Sequence, residues 1–345
     1  MKWFFRILGV LVVLCLLGAG AVYWMLFMPN TTSYDGFSGA ILPQGSSFET
    51  VADSLEANGL LASRTSFEWA AKTTGWGRQL KPGYYRFEAG ARNFDLLDKI
   101  RKGRQDPVRV TIPPGTRPEV LAAVLRRDLA IDSTAFREAL RDPAFARELG
   151  TDTTHLFGYM RPNSFDIYWT TDARGAIERL KHEWDRFWTD EMEAKAAAMN
   201  LSKEDVMTVA SIVEWEARKR EERPTIAAVY LNRLRIGMKL DADPTVQYAL
   251  MRQDGGRMRR LFFRDYKTVS PYNTYLRPGL PPGPINNPSE SSIRAVVNPD
   301  EHDYLYFVAD GTGGHVFSRT LREHNRAAAA YRQMIREQQA QRSSN

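Results

Sequence analysis

The sequence predicts an α+β protein carrying one N-terminal membrane helix, and three observations point there. Ile7 to Met28 is an unbroken uncharged run, long enough as a helix to span a bilayer. Downstream, short alternating stretches such as Gly83-Tyr84-Tyr85-Arg86-Phe87 are interleaved with segments of helical periodicity. The third observation is a repeat. Leu42-Pro43-Gln44-Gly45-Ser46, followed by Glu49, Val51, Ala52 and Leu55, is echoed by Ile112-Pro113-Pro114-Gly115-Thr116, Glu119, Leu121, Ala122 and Leu125. Each copy reads as a strand, a Pro-Gly turn, a short helix, a loop and a second helix.

Composition sets the outer bounds. The chain has 345 residues, 43% hydrophobic and 26% charged, which describes a folded protein with room for two or three domains. A net charge of +6 with interspersed signs admits an anionic partner, such as an acidic polymer or membrane surface, and gives no reason to invoke nucleic acid. One cysteine, Cys15, excludes disulfides within the chain and cysteine zinc sites.

Lys2 and Arg6 precede the apolar run, while the first charge after it is Asp35 and the first basic one Arg64. The positive-inside rule therefore puts the N-terminus in the cytoplasm and residues after 28 outside. Ala19-Gly20-Ala21 mimics a signal-peptidase site, but seven apolar residues follow it, and the expectation is a retained anchor. Leu14 before Cys15 is too bulky for lipoprotein processing. The expected organisation is a stub (1–6), a transmembrane helix (7–28), a polar tether (29–39) and an α+β unit (40–108) compatible with a LysM-like glycan-binding module. A second βαα-like unit (109–150), a mixed α+β domain (151–340) and a tail (341–345) complete it.

Within the first unit, Asn93 to Lys102 reads as a short helix. Leu156 to Phe165 is an aromatic loop-to-strand junction. One long helix is expected from Ala173 to Asn200, with Ile177, Leu180, Trp184 and Phe187 on its packed face; Trp184, Phe187 and Trp188 read as core. The next helix starts near Ser202, which forms a capping box with Asp205. Val206, Val209, Ala210, Val213 and Ala217 make one apolar stripe on it.

Glu214 and Glu216 interrupt this apolar helix. Two positions apart, they point about 200° from each other around the axis, so they cannot share a partner. A carboxyl group kept beside apolar surface has a raised pKa and can donate a proton near neutral pH. The competing reading is two solvated charges answered by Arg218, Lys219 and Arg220.

Pro224 opens a helix running to Arg235, ended by Gly237. Then come segments read as loops: Asp241 to Tyr248, Pro271 to Tyr275, Gly279 to Ile285 and Asn287-Pro288. Their density of Pro, Asn, Tyr and Gly suits function. Tyr304 to Ala309 reads as a buried strand, turned at Asp310 to Gly314 into a hairpin with His315-Val316-Phe317. A final helix spans Thr320 to Gln338. His315 and His324 lack metal-ligand spacing and read as packed or hydrogen-bonding residues; no cofactor-binding motif appears.

ASIVEWE, ERPTIAAVYLNRLRIGMKLDADPTVQY, PYNTYLRPGLPPGPINNP and YLYFVADGTGGHVFSRTLREHN together resemble the endolytic murein transglycosylase family, also called MltG or YceG-like. The resemblance covers most of the chain. It implies a lytic transglycosylase without cofactor or metal, acting on peptidoglycan glycan strands at a bacterial inner membrane. The domain at 151–340 would be catalytic and extracytoplasmic, with peptidoglycan synthases or the division and elongation machinery as partners. It implies Glu216 as the catalytic acid, with Glu214 the second choice. Substrate would be oriented by Tyr272, Asn273 and Tyr275 of the Tyr-Asn-Thr-Tyr loop and by Asp243 and Thr245 of Asp-Pro-Thr. Asp241 or Asp243 as a second carboxylate would instead make a hydrolytic muramidase, although a turn or cap before Pro244 accounts for Asp243. A non-catalytic glycan-binding scaffold is the further alternative. Phe157 and Asn163 stand where relatives usually have acidic residues. The family has also been labelled aminodeoxychorismate lyase, but nothing marks a Schiff-base lysine.

Overall fold

A computed structural model of the chain describes residues 2–32, 37–255 and 259–343. The chain divides into two compact units. One is Met1–Val110 with Arg127–Ala130 and Phe165–Asp172; the other is Thr111–Arg126, Ile131–Ser164 and Ala173–Asn345.

The first unit begins with α1 (Lys2–Phe27), whose stretch Trp3–Phe27 is long and apolar enough to cross a membrane, and whose end packs on the unit's core through Met25, Leu26 and Phe27. β1 (Phe37–Leu42) precedes α2 (Phe48–Ala57) and α3 (Arg64–Thr74), each started by a serine cap. Ser47 accepts from the Thr50 N–H at 3.1 Å and Ser63 from the Ser66 N–H at 3.2 Å. β2 (Gly83–Glu88) pairs antiparallel with β1, from Phe37 opposite Glu88 to Leu42 opposite Gly83. α4 (Asn93–Lys102) closes the unit over Leu42, Leu55, Phe67, Tyr85 and Leu96. Strand, helix, helix, strand and helix thus follow in the expected order.

The start of the expected tether is packed instead. Asn30 and Thr31 are buried, and the Thr31 hydroxyl donates to the Glu88 carbonyl at 3.0 Å and accepts from the Ala91 N–H at 2.7 Å. Residues 37–39, expected as tether, are the start of β1, and residues 33–36 lie outside the described residues. Asn93, fully buried, accepts from Asn30 Nδ2 at 2.6 Å and donates to the Met25 carbonyl and to Ser66 Oγ, both at 2.8 Å. One side chain therefore ties the end of α1 to two other parts of its unit.

β3 (Pro107–Thr111) pairs with β4 (Ser164–Tyr168). Between them run α5 (Pro118–Leu129), α6 (Ser133–Arg141) and α7 (Pro143–Glu148), so the repeat recurs as strand, helix, helix with one extra turn. The single helix expected over 173–200 is two, α8 (Ala173–Phe187) and α9 (Asp190–Ala198). Thr189 breaks it by capping the second helix, accepting from the Met192 N–H at 3.3 Å. Trp184 is buried as expected, edge-on to Tyr159 and stacked on Trp188.

α10 (Lys203–Glu216) starts at Ser202 with the predicted capping box. Its burial exceeds one stripe: every residue from Val206 to Val213 is buried. The polar members are satisfied locally, with Thr208 Oγ1 donating to the Glu204 carbonyl at 2.8 Å and Ser211 Oγ to the Thr208 carbonyl at 2.7 Å. α11 (Arg223–Arg235) has Pro224 in its first turn. The segment read as a loop at 241–248 is mostly helical, since α12 (Asp243–Asp254) begins there with Pro244 in its first turn. α13 (Glu290–Val297) packs with α10 and α11 around Ile212, Val213, Ile226, Tyr230, Ile293 and Val296.

β5 (Tyr306–Ala309) and β6 (His315–Ser318) form the expected hairpin, but β5 is half-buried throughout. α14 (Leu321–Ser343) runs into the expected polar tail, of which residues 344–345 lie outside the described residues, as Met1 does from the expected stub.

Asn93→Ala should take a partner from one N–H of the Asn30 amide and from the Met25 carbonyl and cost roughly 2–3 kcal/mol. Denaturant unfolding of the full chain in detergent measures it; an unchanged midpoint would show that water replaces these bonds.

Candidate active site

The end of α10 separates the two glutamates as their spacing requires. Glu214 faces a polar cage. Arg223 Nη2 lies 2.9 Å from one of its oxygens, and the other accepts from the Ser289 N–H at 2.9 Å, from Ser289 Oγ and from Ser292 Oγ at 2.7 Å. Ser289 is the N-cap of α13, so this carboxylate also sits at a helix start, where negative charge is favoured. Both members of the ion pair are buried.

Glu216 has the opposite surroundings. Among the described residues its carboxyl group makes no hydrogen bond or ion pair. It lines a cavity of about 350 Å³ with Tyr230, Arg233, Asp243, Tyr275 and His324. Although one edge is open to that cavity, the group is densely surrounded by protein. Burial, and then the negative charge of Asp243, push its pKa up to about 8; Arg233 pulls the other way. Near neutral pH it holds its proton.

Neighbouring residues explain why Arg233 does not simply neutralise it. The Arg233 guanidinium donates to the carbonyls of Leu305 at 2.6 Å and Leu240 at 2.7 Å, and lies over the Tyr306 ring. Asp241, with a left-handed φ of 47°, is 3.5 Å from it. Asp243 is the first residue of α12 and not its cap, which is Ala242. It accepts from Tyr275 Oη at 2.6 Å and Tyr266 Oη at 3.3 Å. The expected turn or cap role is therefore replaced by a carboxylate held between two phenols. Tyr266 is pushed up to about 12 by burial and by Asp243, and Tyr275 is raised by the same causes.

The other predicted residues divide. Tyr275 reaches the Glu216 cavity. Asn273 is fully buried, with its amide donating to the Tyr266 and Thr268 carbonyls at 2.9 and 2.8 Å and its oxygen accepting from the Tyr275 N–H at 3.0 Å. Thr245, also buried, donates to the Ala242 carbonyl at 2.7 Å and meets Thr274 Oγ1 at 2.9 Å. In this geometry Asn273 and Thr245 hold the backbone around Tyr275 and Asp243. Tyr272 is buried against Tyr248, ring centroids 4.8 Å apart, and lies outside the Glu216 cavity.

Sequence reasoning did not place Tyr230, Arg233 or Tyr266 at the site, and it read His324 as a packed or hydrogen-bonding residue. Arg233 carried a signal, because it falls three residues after Tyr230 on the packed face of α11. His324 stacks on Tyr306 and leaves Nδ1 buried without a partner; burial, followed by Arg233, lowers its pKa and keeps the ring neutral at pH 7. His315, by contrast, has the expected hydrogen-bonding role, with Nδ1 2.7 Å from Glu222. No metal-binding group of His, Cys, Asp or Glu occurs among the described residues.

The repeat's second Pro-Gly turn braces the site. Trp215 Nε1 donates to the Gly115 carbonyl at 2.9 Å, and Gly115 has φ of 61°. A Cβ there would come within 3.0 Å of the indole nitrogen, so glycine is required both for the turn and for the close approach. The Asn287 amide completes the brace. Its oxygen accepts from the Thr116 N–H at 2.6 Å and its nitrogen donates to the Met160 carbonyl at 2.9 Å.

Glu214→Gln should leave Arg223 buried without its counter-charge and destabilise the protein by roughly 3 kcal/mol. Chemical denaturation measures this loss, and an unaltered stability would remove Glu214 from the structural account.

A sequence model described as the YceG-like family matches residues 41–330. The endolytic murein transglycosylase of Bacillus subtilis (strain 168) is 30% identical over 305 residues, covering 84% of this chain and 83% of its own. That of Streptococcus pneumoniae serotype 2 is 28% identical over 358 residues, 94% of this chain and 65% of its own. A crystal structure of a YceG-like protein from Listeria monocytogenes superposes with a TM-score of 0.59 at 28% identity, over 85% of this chain and 99% of that one. With a family match across most of its length and a relative aligned over the greater part of both chains, this chain belongs to the YceG-like family.

Proposed function

We propose that this protein is a membrane-anchored endolytic murein transglycosylase, cutting the MurNAc–GlcNAc β-1,4 bond and leaving a 1,6-anhydro-muramyl end. The observation that carries this reading is the unpartnered Glu216, protonated near neutral pH on the wall of a polar cavity. Such a group can act first as acid and then as base. Its proton passes to the glycosidic oxygen as the bond from that oxygen to muramyl C1 breaks. The resulting carboxylate then takes the proton of the C6 hydroxyl as that oxygen bonds to C1. Water contributes no atom, and the enzyme ends in its starting protonation state.

Asp243 has two parts in this scheme. Its charge helps keep Glu216 protonated, and the same charge favours the oxocarbenium character that develops at C1. Tyr275 and Tyr266 hold it at fixed geometry. Tyr230 and His324, lining the same cavity, are the groups placed to contact sugar hydroxyls. The names of the relatives, which are murein transglycosylases, support the same reading.

Glu216→Gln should reduce cleavage of uncrosslinked glycan strands by about 10²–10⁴-fold. It should also raise the melting temperature, increasingly as pH goes from 4.5 towards 8. Over that interval the folded protein holds a proton at Glu216 that the unfolded chain has lost, so the native acid weakens the fold as pH rises. In the wild type, kcat/KM should decline about tenfold per pH unit above 8, and Asp243→Asn should move this alkaline limb to lower pH. Mass analysis of products formed in 18O water decides the chemistry. Label at the new reducing end would mean a hydrolytic muramidase with Asp241 or Asp243 as second carboxylate, and an active Glu216→Gln would sink the assignment.

The lysine and arginine ahead of the apolar helix support a single-pass topology with the N-terminus in the cytoplasm and the catalytic residues outside. A reporter active only in the cytoplasm, fused after Asn345, should be silent; activity would reverse the orientation.

A further inference from the structure

A second and larger cavity lies within the same unit and shares no lining residue with the Glu216 cavity. It measures about 570 Å³ and is ringed by Arg117, Arg137, Arg141 and Arg252. Arg137 and Arg141 are one turn apart on α6, while Phe136, Ala139 and Leu140 of that helix are buried. Arg252 comes from α12, where it lies over the rings of Tyr248 and Tyr272. Phe157 adds an apolar wall and Thr153 and Thr154 add hydroxyls. One acid, Glu119, faces the same space.

We propose that this cavity binds the peptide stem of a muramyl residue adjacent to the scissile bond, taking its carboxylates on the arginines and its diamino-acid ammonium on Glu119. The proposal rests on the transglycosylase reading of the Glu216 cavity. Its chemistry is that of guanidinium–carboxylate recognition, which offers planar paired donors. Spread over α6, α12 and the segment just before α5, the arginines suit carboxylates separated along a peptide better than the clustered charge of a diphosphate. An acid among them disfavours a polyanion and suits a zwitterion. The tyrosine and phenylalanine faces accommodate the alkyl parts of the stem.

Geometry relates this cavity to the chemistry. Asp243, Tyr248 and Arg252 lie on one helix, so Tyr248 is about 7.5 Å and Arg252 about 13 Å beyond Asp243 along its axis. Trp215, next to Glu216 in the chain, sits 6.5 Å from Tyr248 between ring centroids and forms part of the partition. A glycan strand reacting at Glu216 and running along α12 would bring a neighbouring stem to the arginines. Stem-bearing strands would then be preferred over stripped ones, with the preference expressed in KM.

The test uses the full chain in detergent and two readouts. Titration with N-acetyl-L-Ala-γ-D-Glu-L-Lys-D-Ala-D-Ala reports the cavity without any chemistry. Arg137→Ala/Arg141→Ala should weaken its binding about tenfold, as loss of charge-assisted bonds requires, and Arg141→Glu alone should act in the same direction. Acetylation of the peptide lysine should weaken binding to the wild type and make no difference to Glu119→Gln. Cleavage of stem-bearing and amidase-stripped strands is the second readout. The double variant should lose the KM advantage of stem-bearing strands and keep the wild-type rate on stripped ones. Equal peptide binding by wild type and double variant would overturn the stem site, as would tighter binding of inorganic pyrophosphate than of peptide. Failure to form anhydro ends on either strand, with peptide binding intact, would count against the transglycosylase reading and leave the stem site standing.

Discussion

The site depends on one electrostatic arrangement, the neutralisation of Glu214 by Arg223 and the serines at the start of α13. α10 is enclosed by protein along most of its length, and a helix so placed cannot tolerate an unanswered charge at its end. Glu214 is matched by Arg223; Glu216 escapes the same cost by holding a proton. The two carboxyls are two residues apart and chemically opposite because their directions differ. Fixing the first also fixes the rotation of the helix about its axis, and with it the aim of the second.

Around this anchor the polar loops act as spacers. Asn286 Nδ2 donates to the Ser211 carbonyl at 2.7 Å and the Ile285 N–H donates to Ser211 Oγ at 3.0 Å, holding the Pro-rich segment against the middle of α10. Asn287 carries that segment to the Thr116 and Met160 backbone. Thr274 does the same for the start of α12, accepting from the Ala242 N–H, and Asn273 holds the Tyr266 and Thr268 carbonyls. Buried amides of this kind satisfy backbone groups that no regular element would reach, so the loops are rigid although they lack secondary structure.

The elements that could be read from the sequence are those whose signals are local. The Ser202 capping box, Pro224 in a first turn, the Asn93–Lys102 helix and the βαα echo all depend on residues close in the chain. The errors arose where a local signal had two meanings. Asp-Pro-Thr suits a loop, yet proline is equally at home in the first turn of a helix, and α12 takes that option. Thr189 was hidden inside an apolar periodicity that continues past it. Glu216 could be suspected from an acid in an apolar helix, and the family resemblance singled it out. That resemblance also named Asp243 and Tyr275, whereas Arg233 and the placing of His324 beside it could not be reached this way. Arg233 and His324 lie 91 residues apart (324 − 233 = 91), and only tertiary packing sets both beside Tyr306. The same limit applies to the burial of Asn273 and Thr245, which the resemblance marks as polar motif residues and which only packing encloses.

A fold that keeps one acid protonated and unpaired accepts a less favourable native state as pH rises, and the rest of the unit must supply the difference. The cavity shows where rigidity is concentrated to allow this. Arg233 is the cation that lowers the pKa of Glu216, and it is held by two backbone carbonyls and a stacked ring. Asp243 is the anion that raises it, and two phenols keep it from swinging towards that arginine. Each group that might relax the raised pKa is therefore tied elsewhere by bonds that do not involve Glu216. The unusual protonation belongs to the framework, and so it is in place before any ligand arrives.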